Sequence, residues 1–396
     1  MFIPRVITLD FGLMYHRRRQ PQWRPYVMPG LGALFLLVLF INRDFFRHVP
    51  PPEAGSTVGS VEIVPQPKGV PNVISQIDSV ACRAAQTANP LESFETITKT
   101  PTAEHPNKES LVYRLKNLRV LATTAAMQEA LLIMVVTKDK TSWGKGRTAQ
   151  DFIALVQTFD YPAHKISIGI LTSSMEEYVQ LKRLFQRTLL THFAQVTIIF
   201  RDDLNVRIAR ERRHDDDVQK IRRRTIARYR NVALSQCLEP WHSHVVWIDS
   251  DIISIPTYLV SKMVAAKLDI LEPLCNLKHG HVDYDLNAWE GPRLTPTPEE
   301  LKALHDGDTT AFVGGSGRGT RHIKDMRWHE YHPLDSVGGT MLYVKADIHR
   351  QGVLFTTHYI IGNEWKHEGY DGIETEGLCY VAGMLGHFNC VQHEFV

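Results

Sequence analysis

The stretch V-V-W-I-D-S-D-I-I-S-I-P, residues 245–256, joins an apolar run to two closely spaced carboxylates. The apolar run, residues 245–248, has the length of a buried strand and is too short for a helix. Asp249 and Asp251 follow at its carboxyl end, where open α/β sheets hold ligands. Their charges repel unless a cation lies between them, and carboxylate oxygens suit hard ions such as Mg²⁺ and Mn²⁺. A solvated acidic turn is the alternative, but the apolarity of the strand favours a metal site.

Composition excludes several classes of protein. The 396 residues allow one large or two modest domains, and the net charge of +2 gives no sign of a nucleic-acid partner. None of the five cysteines forms a C-x-x-C pair, so a cysteine-based zinc site is not expected. An odd count leaves at least one thiol unpaired within the chain. There is no N-x-S/T sequon to support a luminal location.

The N-terminal region carries a predicted transmembrane anchor, which runs from Val27 to Ile41. This segment is apolar and uncharged, and its length is close to the shortest that can span a bilayer. Five arginines precede it and two follow it. The arginine excess predicts that residues 1–26 form a cytosolic tail of a single-pass type II membrane protein. A short span suits a thin, early secretory membrane. A cleaved signal peptide or a buried helix is the alternative, but no small-residue cleavage site follows, and arginines and prolines flank the run.

A spacer is predicted to separate this anchor from a luminal domain at residues 108–396. Residues 42–107 are rich in Pro, Ser, Thr and Gly, a composition that buries too little apolar surface to fold alone. They are therefore expected to form a semi-rigid stem. Cys82 lies within it and is either a free thiol or a partner in an intermolecular disulfide.

Strands and helices alternate in the predicted luminal domain. Apolar runs predict strands at residues 130–137 (the first buried strand), 165–171, 196–200 and 245–248, and helical spacing predicts helices at 148–159, at 173–192 and in a segment ending near residue 238. This alternation implies parallel βαβ units with the acidic pair after about four strands. Phosphohydrolases of the haloacid dehalogenase type also carry D-x-D after an apolar strand, but at the start of the domain and usually with Thr two residues after the second Asp. In this chain that position is Ile253, and the acidic pair lies deep in the domain, so a phosphohydrolase is the disfavoured alternative.

The sequence after the acidic pair contains candidate sugar-binding residues. The loop Y-D-L-N-A-W-E-G-P-R at residues 284–293 offers Asn287 for hydroxyl groups and Trp289 for the apolar face of a sugar, although a loop tryptophan is as often a packing anchor. Gly338 and Gly339 permit close approach of a ligand to the backbone, or form a bulge. Residues 294–332 are expected to be a long, partly mobile loop.

Two acidic residues begin the last predicted helix, which Gly386 ends. The helix dipole favours Glu374 and Glu376 at that position and is a sufficient structural explanation for them. The functional alternative is that one of them faces the reaction centre. Upstream, the basic run at residues 207–224 is interrupted by three aspartates and predicts a solvated, self-neutralising surface, with docking of a partner subunit as the alternative.

The sequence resembles the fungal mannan-polymerase mannosyltransferases, Golgi α-mannosyltransferases of yeast outer chains. The resemblance rests on V-V-W-I-D-S-D-I, Y-D-L-N-A-W-E-G-P-R, D-S-V-G-G-T-M-L-Y-V-K-A-D-I-H-R-Q-G-V and E-G-Y-D-G-I-E-T-E-G-L-C-Y-V-A, and is strongest to the Anp branch. It covers the chain from about residue 131 onward. It implies an A-type glycosyltransferase fold, a Rossmann-like mixed α/β sheet with D-x-D. It also implies GDP-mannose as donor, Mn²⁺, retention, a mannan or N-glycan acceptor, and other mannosyltransferase subunits as partners.

Carried onto this chain, the resemblance assigns Asp251 to direct contact with the metal and Asp249 to the ribose or a metal-bound water. His393 corresponds to a third metal ligand. Arg230, on the helix before the central strand, is a candidate cation for the diphosphate, and a solvated helix arginine is the favoured alternative.

Thr137 and Asp249 complete the predicted nucleotide site, and Glu374 and Glu376 join the acidic pair as candidate catalytic residues. In a retaining enzyme the departing phosphate can take the acceptor's proton, which leaves the two glutamates to orient hydroxyl groups. A non-catalytic scaffold subunit and a transferase with another donor are the alternatives.

Overall fold

The computed structural model describes residues 7–9, 91–99, 108–188, 193–204, 208, 212, 215–277, 284–292, 294–308, 310–312, 319–326, 328–386 and 389–393, which belong to one compact unit. Only the backbone is described at residues 7–9, 187–188, 216–217 and 393.

The predicted transmembrane anchor, from Val27 to Ile41, lies outside the described residues, and so does Cys82. The anchor therefore stays a prediction. Within the described residues, no helix combines the length and the apolarity needed to cross a membrane.

The strands are β1 Ile7–Leu9, β2 Leu91–Lys99, β3 Glu109–Asn117, β4 Ala130–Thr137, β5 Ile166–Thr172, β6 Gln195–Phe200, β7 His242–Ile248, β8 Ile252–Ser254, β9 Ile270–Pro273, β10 Cys275–Leu277, β11 Trp289–Glu290, β12 Arg321–His322, β13 Tyr331–Leu334, β14 Met341–Lys345 and β15 Cys390–His393. The α-helices are α1 Leu118–Leu121, α2 Thr124–Met127, α3 Ala149–Val156, α4 Met175–Thr188, α5 Asp216–Cys237, α6 Leu259–Ala265, α7 Pro298–His305, α8 Ala346–Arg350 and α9 Thr375–Met384.

A ten-stranded mixed sheet organises the domain, in the order β13-β15-β9-β14-β7-β4-β5-β6-β3-β2. The central strands β7, β4, β5 and β6 are parallel, as the alternating pattern predicts, whereas β14 and β3 run antiparallel on either side of them. The chain passes from β4 through β5 to β6 in one direction, then returns through α5 to β7 on the other side of β4. The topological switch point, where such sheets bind ligands, therefore lies between β4 and β7.

Apolar side chains cover both faces of this sheet. Residues of α3 and α4 pack on one face, and residues of α5 and α9 pack on the other. Successive side chains of a strand point to opposite faces, so Val246 joins the first cluster and Trp247 the second. Burial on both sides explains why β7 reads as a continuous apolar run rather than an alternating one.

Two sequence-based predictions of element boundaries are wrong. The predicted stem contains β2, which pairs along its whole length with β3. Because β3 is partly buried and precedes β4, β4 is not the first buried strand. The predicted loop at residues 294–332 contains the helix α7, which begins with a capping box between Thr297 and Glu300 and has Pro298 in its first turn. The tetrapeptide T-P-E-E carries that signal in the sequence.

A small three-stranded sheet, in the order β10-β1-β8, lies beside the acidic pair. Strand β1 is parallel to β10 and antiparallel to β8, the strand that directly follows Asp251. This pairing joins residues 7–9 to the main domain.

A disulfide connects the last helix to the last strand of the sheet. Cys379 of α9 and Cys390 of β15 are bonded across a separation of 11 residues, while Cys237 and Cys275 are buried free thiols. The bond fixes α9, which starts at the candidate residues Glu374 and Glu376, against the sheet edge that carries β15.

We expect the double variant Cys379→Ala/Cys390→Ala to lose about 2–3 kcal/mol of unfolding free energy, because a loop of this size restricts the unfolded chain by about that amount. Urea unfolding with and without reductant measures the loss. The wild type should fall to the level of the variant when reduced, and the variant should not respond. A wild type whose stability is insensitive to complete reduction would contradict this expectation.

Candidate active site

The acidic pair lies at the switch point, in the turn between β7 and β8. The backbone N–H of Asp249 donates to the carbonyl of Thr340 at 2.9 Å, which joins the turn to the start of β14. The hydroxyl of Ser250 donates to the carbonyl of Ser142 at 2.7 Å, in the loop after β4. The two loops that border the switch point are therefore bonded to each other, and Asp251 lies in the same turn.

A cavity of about 940 Å³ opens at this end of the sheet. Nine of the predicted site residues line it: Thr137, Arg230, Asp249, Asp251, Asn287, Trp289, Gly339, Glu374 and Glu376. Gly338 is not among the lining residues. His393 is the last residue of β15, and its side chain lies outside the described part of the chain, so its predicted role as a metal ligand stays a prediction.

Arg230 forms the base of the cavity. It is 5% exposed and packs its guanidinium against the ring of Phe355 at 5.0 Å. Its Nη2 lies 3.4 Å from a carboxylate oxygen of Asp249 and donates to the carbonyl of Gly339 at 3.0 Å, while its Nη1 lies 3.2 Å from Glu374. The expectation of a solvated helix arginine is thereby excluded. Arg230 presents a fixed positive charge beside the acidic pair.

A second arginine, Arg223, completes the charge network and was missed by the sequence analysis. It lies two helical turns before Arg230 on α5, on the same face. Its Nε lies 3.4 Å from Glu374 and its Nη2 lies 3.0 Å from Glu376, and Nη2 also donates to the carbonyl of Ile373 at 2.8 Å. The prediction of a solvated basic surface is therefore wrong for Arg223. Its spacing of seven from Arg230 was the available signal.

Glu374 and Glu376 occupy the start of α9, as predicted, but the helix dipole does not explain Glu374. Glu374 is the N-cap residue with a positive φ of 63°, and its side chain makes no capping hydrogen bond. It binds Arg223 and Arg230 instead. Burial raises the pKa of Glu376, and the charge of Arg223 opposes that rise. Both carboxylates therefore serve to balance and position arginines.

The carboxylate of Asp249 is open to the cavity, with 44% of its side chain exposed. Its pKa is raised to about 8, chiefly because the cavity removes part of its water, and the charge of Arg230 opposes the rise. The neighbouring carboxylates of Asp251, Asp285 and Glu374 contribute smaller parts of the same rise. A carboxylate in this surrounding is stabilised in its charged form by an additional cation.

The site suits a hard divalent cation that takes part of its coordination from a ligand. Among the side chains that the structure describes, no three His, Cys, Asp or Glu groups cluster as a metal site. Ions such as Mg²⁺ typically bind through one or two carboxylates and complete their shell with phosphate oxygens and water. Asp249 and Asp251 meet that requirement, so the residues present fit the predicted Mn²⁺ together with a diphosphate.

The glycine pair makes room for protein side chains rather than for a sugar. A Cβ at Gly338 would overlap the carboxyl group of Asp285, and a Cβ at Gly339 would lie 2.7 Å from both terminal nitrogens of Arg230. One oxygen of Asp285 accepts hydrogen bonds from the N–H groups of Gly339 at 2.7 Å and Thr340 at 3.1 Å. The glycines thus fix Asp285, which the sequence did not indicate, and their predicted role in close ligand approach stays a prediction.

We expect Gly338→Ala to destabilise the protein by at least about 1–3 kcal/mol, because the added methyl group must displace the Asp285 carboxyl group and break its hydrogen bonds. Gly383→Ala is the matched control, since the space around this helical glycine is open. It should stabilise α9 by about 0.5–1 kcal/mol. Thermal unfolding of the two variants measures both effects, and a shift of the same sign in both would count against this explanation.

Trp289 packs in the core, which agrees with the packing alternative and not with the predicted role in stacking on a sugar. It is 2% exposed and belongs to the core cluster under α5, and only an edge of it borders the cavity. Asn287 lines the cavity as predicted. The hydroxyl of Thr137 is buried at the end of β4 and makes no hydrogen bond to any described residue, and its predicted role in nucleotide binding stays a prediction.

Comparison with known proteins places these observations in a family. The Anp1 family profile matches residues 110–359. One relative is the mannan polymerase complex subunit mnn9 of Schizosaccharomyces pombe, which is 32% identical to this chain over 246 residues. The alignment covers 58% of this chain and 69% of mnn9. It is 29% identical to the subunit MNN9 of Candida albicans, over 50% of this chain and 54% of that one.

The mannan polymerase I complex VAN1 subunit of Saccharomyces cerevisiae is 29% identical over 44% of this chain and 34% of its own length. A solved structure that resembles this one is the mannosyltransferase PcManGT from Pyrobaculum calidifontis in complex with GDP-Man and Mn²⁺. The two chains are 11% identical and align with a TM-score of 0.37, over 67% of this chain and 55% of that one. This likeness is too weak to support an assignment. The profile match covers more than half of the chain, and the predicted family is confirmed: this protein belongs to the Anp1 family.

Proposed function

We propose that this protein is a metal-dependent α-mannosyltransferase that transfers mannose from GDP-mannose to a mannan or N-glycan outer chain, as a subunit of a mannan polymerase complex. The observation that carries the proposal is the acidic pair at the switch point, where Arg230 supplies a fixed positive charge. Its relatives are named as mannan polymerase subunits, which supports the mannose polymer as product. The resemblance described above supports GDP-mannose as the donor.

In the proposed site the donor diphosphate lies beside Asp249 and Asp251, with Arg230 below it. A bound Mn²⁺ would neutralise charge that develops on the leaving diphosphate. Arg230 contributes to the same stabilisation through a charge already fixed by Asp249 and Glu374, so little reorganisation accompanies the reaction. The free hydroxyl of Thr137 and the bonded loops after β4 and β7 would hold the nucleoside part.

The arrangement of the glutamates supports transfer with retention. Glu374 and Glu376 both bind arginines, which makes them poor general bases. In a retaining transfer by attack from the leaving-group side, the departing phosphate oxygen takes the acceptor's proton and no protein base is required. The two glutamates then act by holding Arg223 and Arg230 in place.

We also propose a Golgi location with a type II anchor from Val27 to Ile41. The disulfide between Cys379 and Cys390 supports an oxidising compartment for the domain. An anchor that crosses the membrane would separate β1 from β8 and β10, so the anchor and that pairing exclude each other. A sequon introduced in the tail and another introduced in the domain test this: glycosylation of the domain site alone supports the anchor, and glycosylation of both sites excludes it.

Calorimetric titration of the full chain with GDP and with UDP, each with Mn²⁺ and with EDTA, tests the proposed donor site. We expect GDP to bind in the presence of Mn²⁺ and binding to be lost in EDTA. Preference for UDP would indicate another donor. Absence of binding to either nucleotide, even with the partner subunits present, would leave the protein as a non-catalytic scaffold of the complex.

A further inference from the structure

One tryptophan projects almost completely into solvent. Trp365 is 98% exposed, at the tip of a hairpin formed by residues 359–371, which we name the Trp365 hairpin. Isolated bridges pair Ile361 with Asp371 and Glu364 with His367, so Trp365 lies in the turn that joins the two arms. Tryptophan is highly buried on average, and a buried aromatic side chain of this kind covers about 150–250 Å². A fully exposed indole is therefore a candidate contact for a ligand or a partner.

The hairpin is held firmly at its base. Glu368 binds two side chains of α5, Arg224 at 2.5 Å and Lys220 at 2.7 Å, and also accepts a hydrogen bond from the backbone of Tyr359. The ring of His367 stacks on that of His305 in α7, with centroids 3.8 Å apart. Backbone hydrogen bonds in both directions between Glu364 and His367 close the turn. A ligand that binds the indole therefore meets a platform that is already ordered.

The same hairpin forms part of the cavity wall. Tyr359, Tyr370 and Asp371, at its base, line the cavity that contains the acidic pair. Tyr370 lies five positions after Trp365, which places the tip within roughly 17 Å of the wall at about 3.3 Å per residue. A molecule whose reacting end lies in the cavity can reach the indole only if it is extended.

We propose that the Trp365 hairpin is a binding site for the distal sugars of a mannose oligosaccharide acceptor, with one sugar ring stacked on the indole of Trp365. This inference rests on the proposed function. The exposed neighbours in the turn are Asn363, Glu364 and Lys366, which can donate and accept hydrogen bonds with sugar hydroxyls.

The composition of the turn distinguishes a sugar chain from a protein partner. Trp365 is the sole large apolar side chain among the four exposed residues of the turn, 363–366. A stable protein interface buries about 800 Å² on each partner around a core depleted in charge. A single aromatic ring with polar groups beside it is too small for such a core and matches one face of a neutral sugar.

The test compares acceptor length in the full chain, with its partner subunits where transfer needs them. The acceptors are α-mannobiose and a linear α-mannohexaose, with GDP-mannose as donor. We expect Trp365→Ala to raise KM for the hexaose roughly tenfold, because the substitution removes one aromatic stacking contact. KM for the biose, KM for GDP-mannose and kcat should not change. Trp328→Ala is the matched control, because it removes another indole that is 80% exposed and does not line the cavity. An unchanged KM for the hexaose in Trp365→Ala would overturn the inference.

Direct binding of mannohexaose, followed by saturation-transfer NMR, separates this inference from the proposed function. If the wild type binds the hexaose and Trp365→Ala does not, while no mannose transfer is detected, the hairpin site stands and the transferase proposal fails. If transfer proceeds and both proteins bind the hexaose equally, the hairpin site fails and the transferase proposal stands. Loss of a co-purifying subunit in Trp365→Ala, with hexaose binding retained, would show that the hairpin binds protein instead and would also overturn the inference.

Discussion

Asp249→Asn should abolish mannose transfer, with a loss of at least about 100-fold, because the substitution removes a charged oxygen from the proposed site of the diphosphate and its cation. The amide has nearly the same shape, and the hydrogen bond of its backbone N–H to Thr340 is unaffected. The loss therefore reports the charge and not the fold. Nucleotide binding with Mn²⁺ and transfer from GDP-mannose are the two measurements, and Asp251→Asn should give the same result.

Asp347→Asn is the control, since this carboxylate pairs with Arg350 on the surface and is 80% exposed. It should transfer mannose at the wild-type rate. Turnover close to that of the wild type in Asp249→Asn would refute the proposed site.

The metal-free proteins should also differ in their response to pH. The pKa of Asp249 in the folded protein is about 8, above its ordinary value of 3.8. The folded state therefore binds this proton more tightly than the unfolded state, and wild-type stability falls as pH rises from about 4 to 8. Asp249→Asn should lack this part of the decline. Thermal unfolding in EDTA across that pH range measures it.

Arg223→Met should destabilise the folded protein by about 3–5 kcal/mol. The arginine is the cation that Glu376 binds, and it shares Glu374 with Arg230. Removing it leaves a carboxylate in a site with 14% side-chain exposure and no compensating charge from that position. Urea unfolding measures the loss, and adding Glu376→Gln to the same chain should recover part of it because the uncompensated charge is then gone.

Arg228→Met tests whether the loss of stability depends on the position of the arginine on α5 or merely on removing one positive charge from that helix. Arg228 lies on the exposed side of the same helix, so its replacement should change stability by less than about 0.5 kcal/mol. Equal losses in Arg223→Met and Arg228→Met would contradict a buried charge network. An Arg223 variant that is unstable but recovers with Glu376→Gln would support it.

Local pattern alone predicted the centre of the sheet. The strands β4, β5, β6 and β7 contain apolar runs, which can be identified from the local sequence alone. Burial of a strand on both faces favours apolar residues at successive positions rather than at alternate ones. The acidic pair, directly after β7, follows from the same pattern. The capped start of α7 was equally local, and T-P-E-E was present to predict it.

The contacts that complete the site were decided by tertiary structure. Arg223 and Glu374 are 151 residues apart, and only the packing of α5 beside α9 brings them together. The spacing of Arg223 from Arg230 places both on one face of α5 but does not reveal their carboxylate partners. The reasons for Gly338 and Gly339 lie in side chains from α5 and from the loop that contains Asp285. Burial of Trp289 and exposure of Trp365 are likewise invisible in a sequence in which both are loop tryptophans.

The sequence by itself therefore determined the four central strands β4 to β7, the position of the acidic pair and the family, because each depends on residues adjacent along the chain. Tertiary structure decided which charges neutralise one another, which tryptophan is buried and which is exposed to solvent. The physical reason is that ion pairing and burial depend on distances between elements far apart in sequence, and those distances are fixed only when the sheet and its covering helices have packed.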